Sequence, residues 1–323
     1  TINFLNKRKY TYVISSIVII ICIVSMFTKG FTYGVDFAGG RTFVVRFDQP
    51  VSVEEVRASL VKEFNGGVEA KQFGGESQMK ITTQYLIEDK STEADAAVEE
   101  KLFNAVKDFY ASEMTLDFFT STAENPNGII SSDKVDASIA DDMKRDAIIA
   151  VVIALLVIFI YIAIRFKKWT WGLGGTLGLA HTAIIVVGFF SLFSGILPFS
   201  LDVDQTFIAA VLTIIGYAIN DTVVIFDRIR EYKNLHPKMP LYENANQALN
   251  STLSRTMNTS LTTLIVMVAI AIFGGEVIRG LAVALVLGIA VGTYASLFIA
   301  TPIMYDVTTW MEKRKAEKAG LRK

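Results

Sequence analysis

Six long apolar segments constrain the fold of this 323-residue chain more strongly than any other feature of its sequence. A helix needs about 20 mostly apolar residues, each rising about 1.5 Å, to cross the hydrocarbon core of a bilayer. Segments that meet this requirement lie at 10–27, 147–164, 171–193, 205–226, 256–275 and 280–305. The sequence therefore predicts a polytopic α-helical membrane protein with six transmembrane helices.

The overall charge and the cysteine content argue against several kinds of function. The formal net charge is −1, so the chain lacks the basic field typical of nucleic-acid binding. The single cysteine, Cys22, lies inside the first apolar segment, which excludes an internal disulfide and a cysteine-based metal site. The two histidines, His181 and His236, lie far apart in the sequence. We therefore expect no nucleic-acid partner, no metal ion and no cofactor.

The distribution of lysine and arginine predicts the orientation in the membrane. Basic residues are concentrated before the first segment, at 165–168, between the fourth and fifth segments and in the C-terminal tail, whereas 194–204 has none. By the positive-inside rule, both termini are then cytoplasmic. The first segment is long and is followed by a poor cleavage site, so we interpret it as a retained span rather than a signal peptide.

This orientation divides the chain into four parts. Residues 1–28 form a cytoplasmic N-terminus and the first transmembrane helix, and 29–146 form a periplasmic α+β domain. Residues 147–306 hold transmembrane helices two to six, with a cytoplasmic loop at 227–255, and 307–323 form a cytoplasmic basic tail.

The region at 29–146 has the alternating patterns of a small water-exposed domain. Its predicted strands lie at 41–47, 68–73, 79–84 and 115–119, and its predicted helices at 52–64 and 92–110. The order βαββαβ suggests a ferredoxin-like unit. The region contains nothing that resembles a catalytic constellation, so we expect no enzyme activity.

A glycine-rich segment at 34–41 follows the first span. Glycine permits positive φ angles and close approach of the backbone. A phosphate-binding loop leads from a strand into a helix, whereas Gly39 and Gly40 here lead into a strand. The pattern therefore favours a structural turn between the span and the sheet, and disfavours a catalytic role for Asp36.

The fourth apolar segment contains two polar residues, Asn220 and Asp221, that are unusual inside a span. Asp221 lies five residues inside Phe226, or about 7.5 Å deeper along a helix. Tyr217 and Arg228 fall on the same helix face as Asp221. A carboxyl at this depth needs a partner, water or a proton. The pattern favours an ion or proton path, with a static ion pair or a helix–helix hydrogen bond as the alternative.

The fifth segment begins with a polar face. Arg255, Thr259 and Thr262 share one side of a helix. Such a stripe can line a wet path or form hydrogen bonds between helices. Arg255 has two equally supported interpretations, an ordinary boundary arginine or the counter-charge of Asp221.

Two other segments carry features of helix packing. Small residues recur every four positions at Gly288, Gly292, Ser296 and Ala300, and also in the third segment, which predicts close helix contacts. His181 in the third segment is an isolated polar group, for which we expect a hydrogen bond within the helix bundle; a proton relay is the weaker alternative.

Four stretches together resemble the SecD/SecF family of bacterial preprotein translocase subunits, on its SecF side. They are the glycine-rich segment at 34–40, the fourth-span motif at 215–231, the polar start of the fifth span at 254–263 and the Phe-Gly-Gly at 273–275. The six spans and the position of the external domain also agree. One departure is Thr182, where many relatives carry an acidic residue, and this weakens any relay through His181.

The resemblance implies a role in protein export across the bacterial inner membrane. Such a chain works with SecD, as a separate or a fused protein, beside the SecY-SecE-SecG channel. It uses the proton-motive force to draw unfolded preprotein outward. Its six helices are similar to half of a resistance-nodulation-division bundle, and the start at Thr1 fits the second half of a fused protein. Asp221 and Arg255 match positions implicated in proton conduction, with Asn220, Thr259 and Thr262 beside them.

Two other functions remain open from the residues alone. A proton-driven small-molecule exporter of the resistance-nodulation-division type requires a second homologous half and an apolar external pocket. A non-transporting scaffold of the translocase predicts that Asp221→Asn leaves export intact.

Overall fold

Six helices dominate the structure, a computed structural model that describes residues 2–89, 91–121, 126–197, 199 and 201–320. Within these residues, the helices long and apolar enough to cross a membrane are Leu5–Thr28, Ala137–Arg165, Trp169–Phe193, Gln205–Leu235, Leu241–Phe273 and Ile278–Lys318. Each contains most or all of one predicted segment. The prediction of six membrane-spanning helices is confirmed by helix length and composition.

The elements alternate between the membrane helices and a small α+β domain. The helices are α1 (Arg8–Thr28), α2 (Val35–Ala38), α3 (Val53–Phe64), α4 (Thr92–Val106), α5 (Leu116–Thr120), α6 (Ala137–Arg165), α7 (Trp169–Phe193), α8 (Gln205–Leu235), α9 (Leu241–Phe273), α10 (Gly275–Ala295) and α11 (Thr301–Gly320). A π-helical turn, Ser296–Ala300, joins α10 to α11, so the three form one continuous element. The strands are β1 (Gly40–Arg46), β2 (Val68–Phe73), β3 (Gly75–Thr83) and β4 (Gly128–Val135).

Several helices extend beyond the apolar segments that predicted them. α8 continues to Leu235 and α9 begins at Leu241, so the segment predicted as a loop at 227–255 is mostly helix with a connection at 236–240. These extensions carry charged and polar residues, which form helix as readily as apolar ones once the helix has been nucleated. Hydrophobicity therefore locates the span but underestimates the helix.

The α+β domain between α1 and α6 is a four-stranded sheet with helices packed against it. We call it the external domain after the position that the sequence predicts for it. The strand order is β2-β3-β1-β4, and all neighbouring strands are antiparallel. Its core contains buried apolar residues from the sheet and from α3 and α4, among them Phe43, Val45, Leu60, Ile81 and Leu102. Ser52 caps α3 by accepting a hydrogen bond from the backbone N–H of Glu55, as the sequence predicts.

The prediction of the last strand in this domain is wrong. Residues 115–119 were expected to be a strand, but Leu116–Thr120 is a short helix, α5. The side chain of Thr115 accepts a hydrogen bond from the backbone N–H of Phe118 and caps that helix. The fourth strand is instead β4, which pairs with β1.

Glycines set the close contacts within the membrane bundle. A Cβ atom on Gly178 would lie 2.8 Å from the Cβ of Ala300, and one on Gly292 would lie 2.9 Å from the Cβ of Ala218. These distances are too short for a real side chain, so the helices pack closely as the small-residue spacing predicts. Only 6% of the apolar stretch of α6 is buried, against 50% for α7, which lies at the centre.

Candidate functional site

Asp221 is a buried carboxyl on the inward face of α8. Its side chain is 4% exposed, and its helix neighbours Ala218 and Ile225 are equally buried. Asp204 caps the helix, and its carboxylate accepts a hydrogen bond of 2.7 Å from the backbone N–H of Phe207. Apart from Asp221 and Thr222 the buried residues of α8 are apolar, so Asp221 is placed in the bundle by the periodicity of its own helix.

Hydroxyl groups of α9 and α10 meet at this carboxyl. Within the described residues, Asp221 accepts one hydrogen bond, from Ser260 Oγ to its Oδ2 at 3.4 Å. Ser260 Oγ also lies 2.6 Å from Thr293 Oγ1, and Thr293 Oγ1 donates to the carbonyl of Ile289 at 2.9 Å. Three helices therefore converge on Asp221 through neutral groups. An ionised carboxylate here needs water or a counter-charge, so the group can change its charge with its surroundings.

Arg255 acts on Asp221 only at longer range. Among the described residues no hydrogen bond or ion pair within 4.0 Å joins the two side chains, and Arg255 is exposed. Its positive charge still contributes to the electrostatic field at Asp221. The structure thus brings the predicted pair close enough to interact by charge but not into contact.

The other predicted path residues lie on a different side of the helices. Asn220 and Thr262 are exposed and Thr259 is half-buried. The hydroxyls of Thr259 and Thr262 donate to backbone carbonyls of their own helix. Tyr217 reaches this side, since its hydroxyl donates to the carbonyl of Thr259 at 3.2 Å. These residues form the edge of the α8–α9 contact rather than its interior.

Sequence reasoning missed the face of α9 that meets Asp221. That face carries Thr252, Thr256 and Ser260, which are 6%, 0% and 3% exposed. The signal was present as hydroxyl residues at a spacing of four. To decide which of the two stripes faces Asp221, one must know how α9 is rotated about its axis. The stripe that begins at Arg255 was the one predicted, because an arginine at the end of a span is a prominent feature.

Two further polar residues were singled out by the sequence. Arg228 lies on the α9-facing side of α8, as Asp221 does; it pairs with Glu231 at 2.7 Å and donates to Ser251 Oγ at 3.2 Å. His181 is 4% exposed, and neither ring nitrogen has a hydrogen-bond partner in the part of the chain that the structure describes. The bundle hydrogen bond expected for His181 is therefore absent there; its ring lies 5.9 Å from that of Tyr294.

The glycine-rich segment joins the external domain to α8. Asp36, in α2, accepts a hydrogen bond of 3.2 Å from the backbone N–H of Gln205, the first residue of α8. Gly34 donates its N–H to the carbonyl of Val203 at 3.0 Å. Gly39 has φ +69°, and a Cβ there would lie 3.2 Å from the Cα of Ala137, the first residue of α6. The segment therefore connects the sheet to the N-terminal ends of two membrane helices.

A salt bridge makes a second connection between the domain and the bundle. Lys71 Nζ, on β2, lies 2.8 Å from Asp202 in the α7–α8 connection and 2.9 Å from Glu69. Burial lowers the pKa of Lys71, but these two carboxylates outweigh it and hold the pKa above its usual value. The pair borders a cavity of about 710 Å³ between the sheet and the bundle. Among the described residues, hydrogen bonds from the glycine-rich segment and this ion pair therefore both join the domain to the bundle.

Comparisons with known proteins agree with this architecture. The family described as "Protein export membrane protein SecD/SecF, C-terminal" matches residues 116–310, and the SecD/SecF GG motif matches residues 24–51. The protein translocase subunit SecF of Rhodothermus marinus is 40% identical over 304 residues, which cover 94% of this chain and 92% of that protein. The protein translocase subunit SecDF of Thermus thermophilus is 34% identical over 319 residues, or 98% of this chain and 40% of that protein.

The solved structures give the same result. The crystal structure of SecDF from Thermus thermophilus, a translocon-associated membrane protein, superposes with a TM-score of 0.75 at 32% sequence identity. The match covers 96% of this chain and 39% of that one, so the chain spans about two-fifths of the fused protein. The glycine-rich segment and the helices around Asp221 lie within the matched regions, and the chain belongs to the SecD/SecF family of protein export membrane proteins.

Proposed function

We propose that this chain is an accessory subunit of a Sec preprotein translocase and couples the proton-motive force to a late stage of protein export. Relatives that match it over nearly their whole length are named protein translocase subunit SecF. The fused relative supports SecD as the immediate partner. The SecY-SecE-SecG channel and the unfolded preprotein complete the proposed assembly, in the bacterial inner membrane with both termini cytoplasmic.

The observation that carries the coupling proposal is the burial of Asp221. A carboxyl that is 4% exposed among apolar helices, with a 3.4 Å hydrogen bond from a neutral serine, is poorly compensated when ionised. A purely structural carboxylate would be expected to pair fully with donors. Asp221 instead has the surroundings of a group that gains and loses a proton.

In the proposed mechanism a proton enters from the outer side and neutralises Asp221. The attraction between Asp221 and Arg255 then weakens, and α8 and α9 shift relative to each other. Because Asp36 and Gly34 join the outer end of α8 to the external domain, a movement of α8 reaches that domain. The domain, which we interpret as ferredoxin-like from its strand order, then changes its hold on preprotein.

The available energy limits this mechanism. One charge that crosses a potential of 100 mV supplies about 2.3 kcal/mol. A complete switch of a two-state element from 1:99 to 99:1 needs about 5.5 kcal/mol. More than one proton per cycle, or a second coupled half, is required. This agrees with an arrangement in which the six helices are half of a resistance-nodulation-division-like bundle and SecD supplies the other half.

Export of a secreted protein in cells that carry Asp221→Asn or Arg255→Ala, with and without an uncoupler, tests the proposal. We expect both variants to lose the uncoupler-sensitive part of export, because Asp221→Asn removes the group that gains the proton and Arg255→Ala removes the charge that responds to it. Asp141→Asn is the matched control, since its carboxylate is exposed on α6 and, within the described residues, pairs with Lys144 one turn away. If Asp221→Asn and Arg255→Ala export like wild type and remain sensitive to the uncoupler, the proton role is wrong and a scaffold is favoured.

A further inference from the structure

A column of hydroxyl groups runs along the buried face of α9 from the level of Asp221. Thr252, Thr256 and Ser260 are four residues apart, lie on one helix face and are at most 6% exposed. Eight residues of helix place the ends of this column about 12 Å apart. Ser260, at one end, is the residue whose hydroxyl contacts Asp221.

The contacts between α8 and α9 fix what lies opposite each member. The two helices are antiparallel, with Tyr217 against Thr263, Asp221 against Ser260 and Arg228 against Ser251. Thr256 is one turn from Ser260 toward the Arg228 end. The column therefore leads away from Asp221 toward the end of α8 that carries its basic residues.

Thr256 is the unusual member of the column. The hydroxyls of Thr252, Thr259 and Thr263 each donate to the carbonyl four residues earlier in α9. Thr256 Oγ1 is fully buried and has no hydrogen-bond partner among the residues that the structure describes. An unpartnered buried hydroxyl is unfavourable. A water molecule, which can both accept and donate, would give this hydroxyl a partner.

A cavity lies at the far end of the column. Thr252 borders a space of about 470 Å³ together with Asp227, Arg228 and Glu231 of α8. These charged side chains are partly exposed, so the cavity carries charged groups and is open to solvent. Hydroxyls spaced about one helical turn apart thus extend from the buried carboxyl to this solvent-filled space.

We propose that Ser260, Thr256 and Thr252, with water at Thr256, form the route by which a proton leaves Asp221 for this cavity. The proposal rests on the proposed function and assigns its exit side. Protonated Asp221 gives its proton to the first oxygen of the column, and each oxygen that gains a proton releases another to the next. One O–H bond forms and one breaks at every step, and water bridges hydroxyls that lie about one helical turn, or 5–6 Å, apart. The hydroxyls and water then turn back to their starting orientation before the next proton passes.

Substitution of Thr256 separates a proton role from a structural one. Valine has the shape of threonine without the hydroxyl, so Thr256→Val removes an unsatisfied polar group and leaves packing intact. A structural role therefore predicts unchanged or higher stability and normal export. Our proposal predicts that the uncoupler-sensitive export rate falls about tenfold or more, as when a proton transfer loses a positioned group. Thr256→Ser, which keeps the hydroxyl, restores it.

Thr309→Val serves as a control and is expected to match wild type. The hydroxyl of Thr309 also lies in a long helix, but it donates to the carbonyl of Tyr305 in that helix at 2.8 Å. Membrane abundance and thermal unfolding of each full-length variant in its translocase are measured in parallel. Thr252→Val is the second test if Thr256→Val accumulates poorly. Equal export losses in Thr256→Val and Thr256→Ser, or wild-type export in Thr256→Val while Asp221→Asn fails, overturn the route. Wild-type export in Asp221→Asn itself would instead overturn the proposed function.

Discussion

Arg41 in the external domain and Asp221 in the membrane bundle are both buried ionisable groups, 3% and 4% exposed, but their surroundings differ. Arg41 donates to the carboxylate of Asp95, at 3.0 Å from its Nε, and to the carbonyls of Tyr85, Leu86 and Asp89. Asp221 accepts, within the described residues, a single 3.4 Å hydrogen bond. The position of Arg41 is fixed by an ion pair and several hydrogen bonds, whereas the position of Asp221 is fixed mainly by the backbone of its own helix.

This difference indicates what each group does. A buried charge with its donors fully used fixes the elements around it, here β1, α4 and the segment between β3 and α4. A buried carboxyl with few fixed partners leaves its neighbours free to rearrange when its charge changes. The contacts of Arg41 therefore favour a rigid domain, and under the proposed function the α8–α9 contact is the part of the molecule that responds to a proton.

Removal of the Arg41 guanidinium has the largest expected effect on stability. Arg41→Met keeps most of the apolar stem but removes the donor to the carbonyls of Tyr85 and Leu86. It leaves Asp95 and the carbonyl of Asp89 with Lys134 alone among the donors of this cluster. We expect a loss of about 3 kcal/mol in the free energy of unfolding of the external domain, at the lower end for a broken buried pair because Asp95 is half exposed. Hydrogen exchange of β1 and α4 in the full-length protein measures it.

Arg46→Met on the same strand is the matched control for Arg41→Met. Within the described residues, the side chain of Arg46 makes only long hydrogen bonds, of 3.3 Å to the carbonyl of Pro126 and 3.5 Å to Gln78. Its loss should change the unfolding free energy by less than about 1 kcal/mol. Equal effects of the two substitutions would show that Arg41 is not the fixed point of the domain.

Acidification is expected to have the second-largest effect on the stability of the external domain. The direction of this effect follows from the pKa of Asp95. Hydrogen bonding from Arg41, followed by that from Lys134, holds the pKa of Asp95 below its usual value in the folded domain. A depressed pKa contributes stability that is present above the unfolded value of about 3.9 and is lost as the pH falls through the folded value. The domain should therefore unfold at lower temperature as the pH falls below about 4.

Asp95→Asn isolates this contribution in thermal unfolding measured between neutral and acid pH. The pKa values of Asp48 and Asp89 are also lowered, mainly by backbone N–H groups, so part of the pH dependence remains in the variant. The difference between the two pH profiles gives the share of Asp95. A variant with the same profile as wild type would mean that the Arg41–Asp95 pair adds nothing in solution.

The features that could be predicted from the sequence are those that depend on local composition. The six spans follow from apolar length, and Asp221 stands out because an ionisable residue inside such a span is rare. The face of α9 did not follow, since one residue turns a helix by about 100° and only the packed neighbours decide which stripe is inside. Thr256 and Ser260 are therefore structural findings, although their spacing is visible in the sequence.

The external domain shows the same limit for strands. β1 alternates clearly and was predicted, whereas β4 reads Gly-Ile-Ile-Ser-Ser-Asp-Lys-Val and exposes most of its residues. β4 is a strand because it pairs with the free edge of β1. β1 lies about 90 residues earlier in the chain, so the local sequence of β4 does not reveal this pairing. In contrast, 115–119 has a strand-like pattern, but Thr115 provides a local helix cap that prevails.

The smallest effect on stability is expected for Asp221→Asn, and it is the sharpest test of the comparison. Asparagine keeps an acceptor for Ser260 and a nearly identical shape, and no ion pair within the described residues is broken. The free energy of unfolding should change by less than about 1 kcal/mol, in either direction, while export loses its dependence on the proton-motive force. Thermal unfolding of the full-length variant beside Arg41→Met measures the contrast. If Asp221→Asn destabilises the protein as strongly as Arg41→Met does, Asp221 is a structural charge, because only a group that is tightly compensated in the folded state can contribute that much to it.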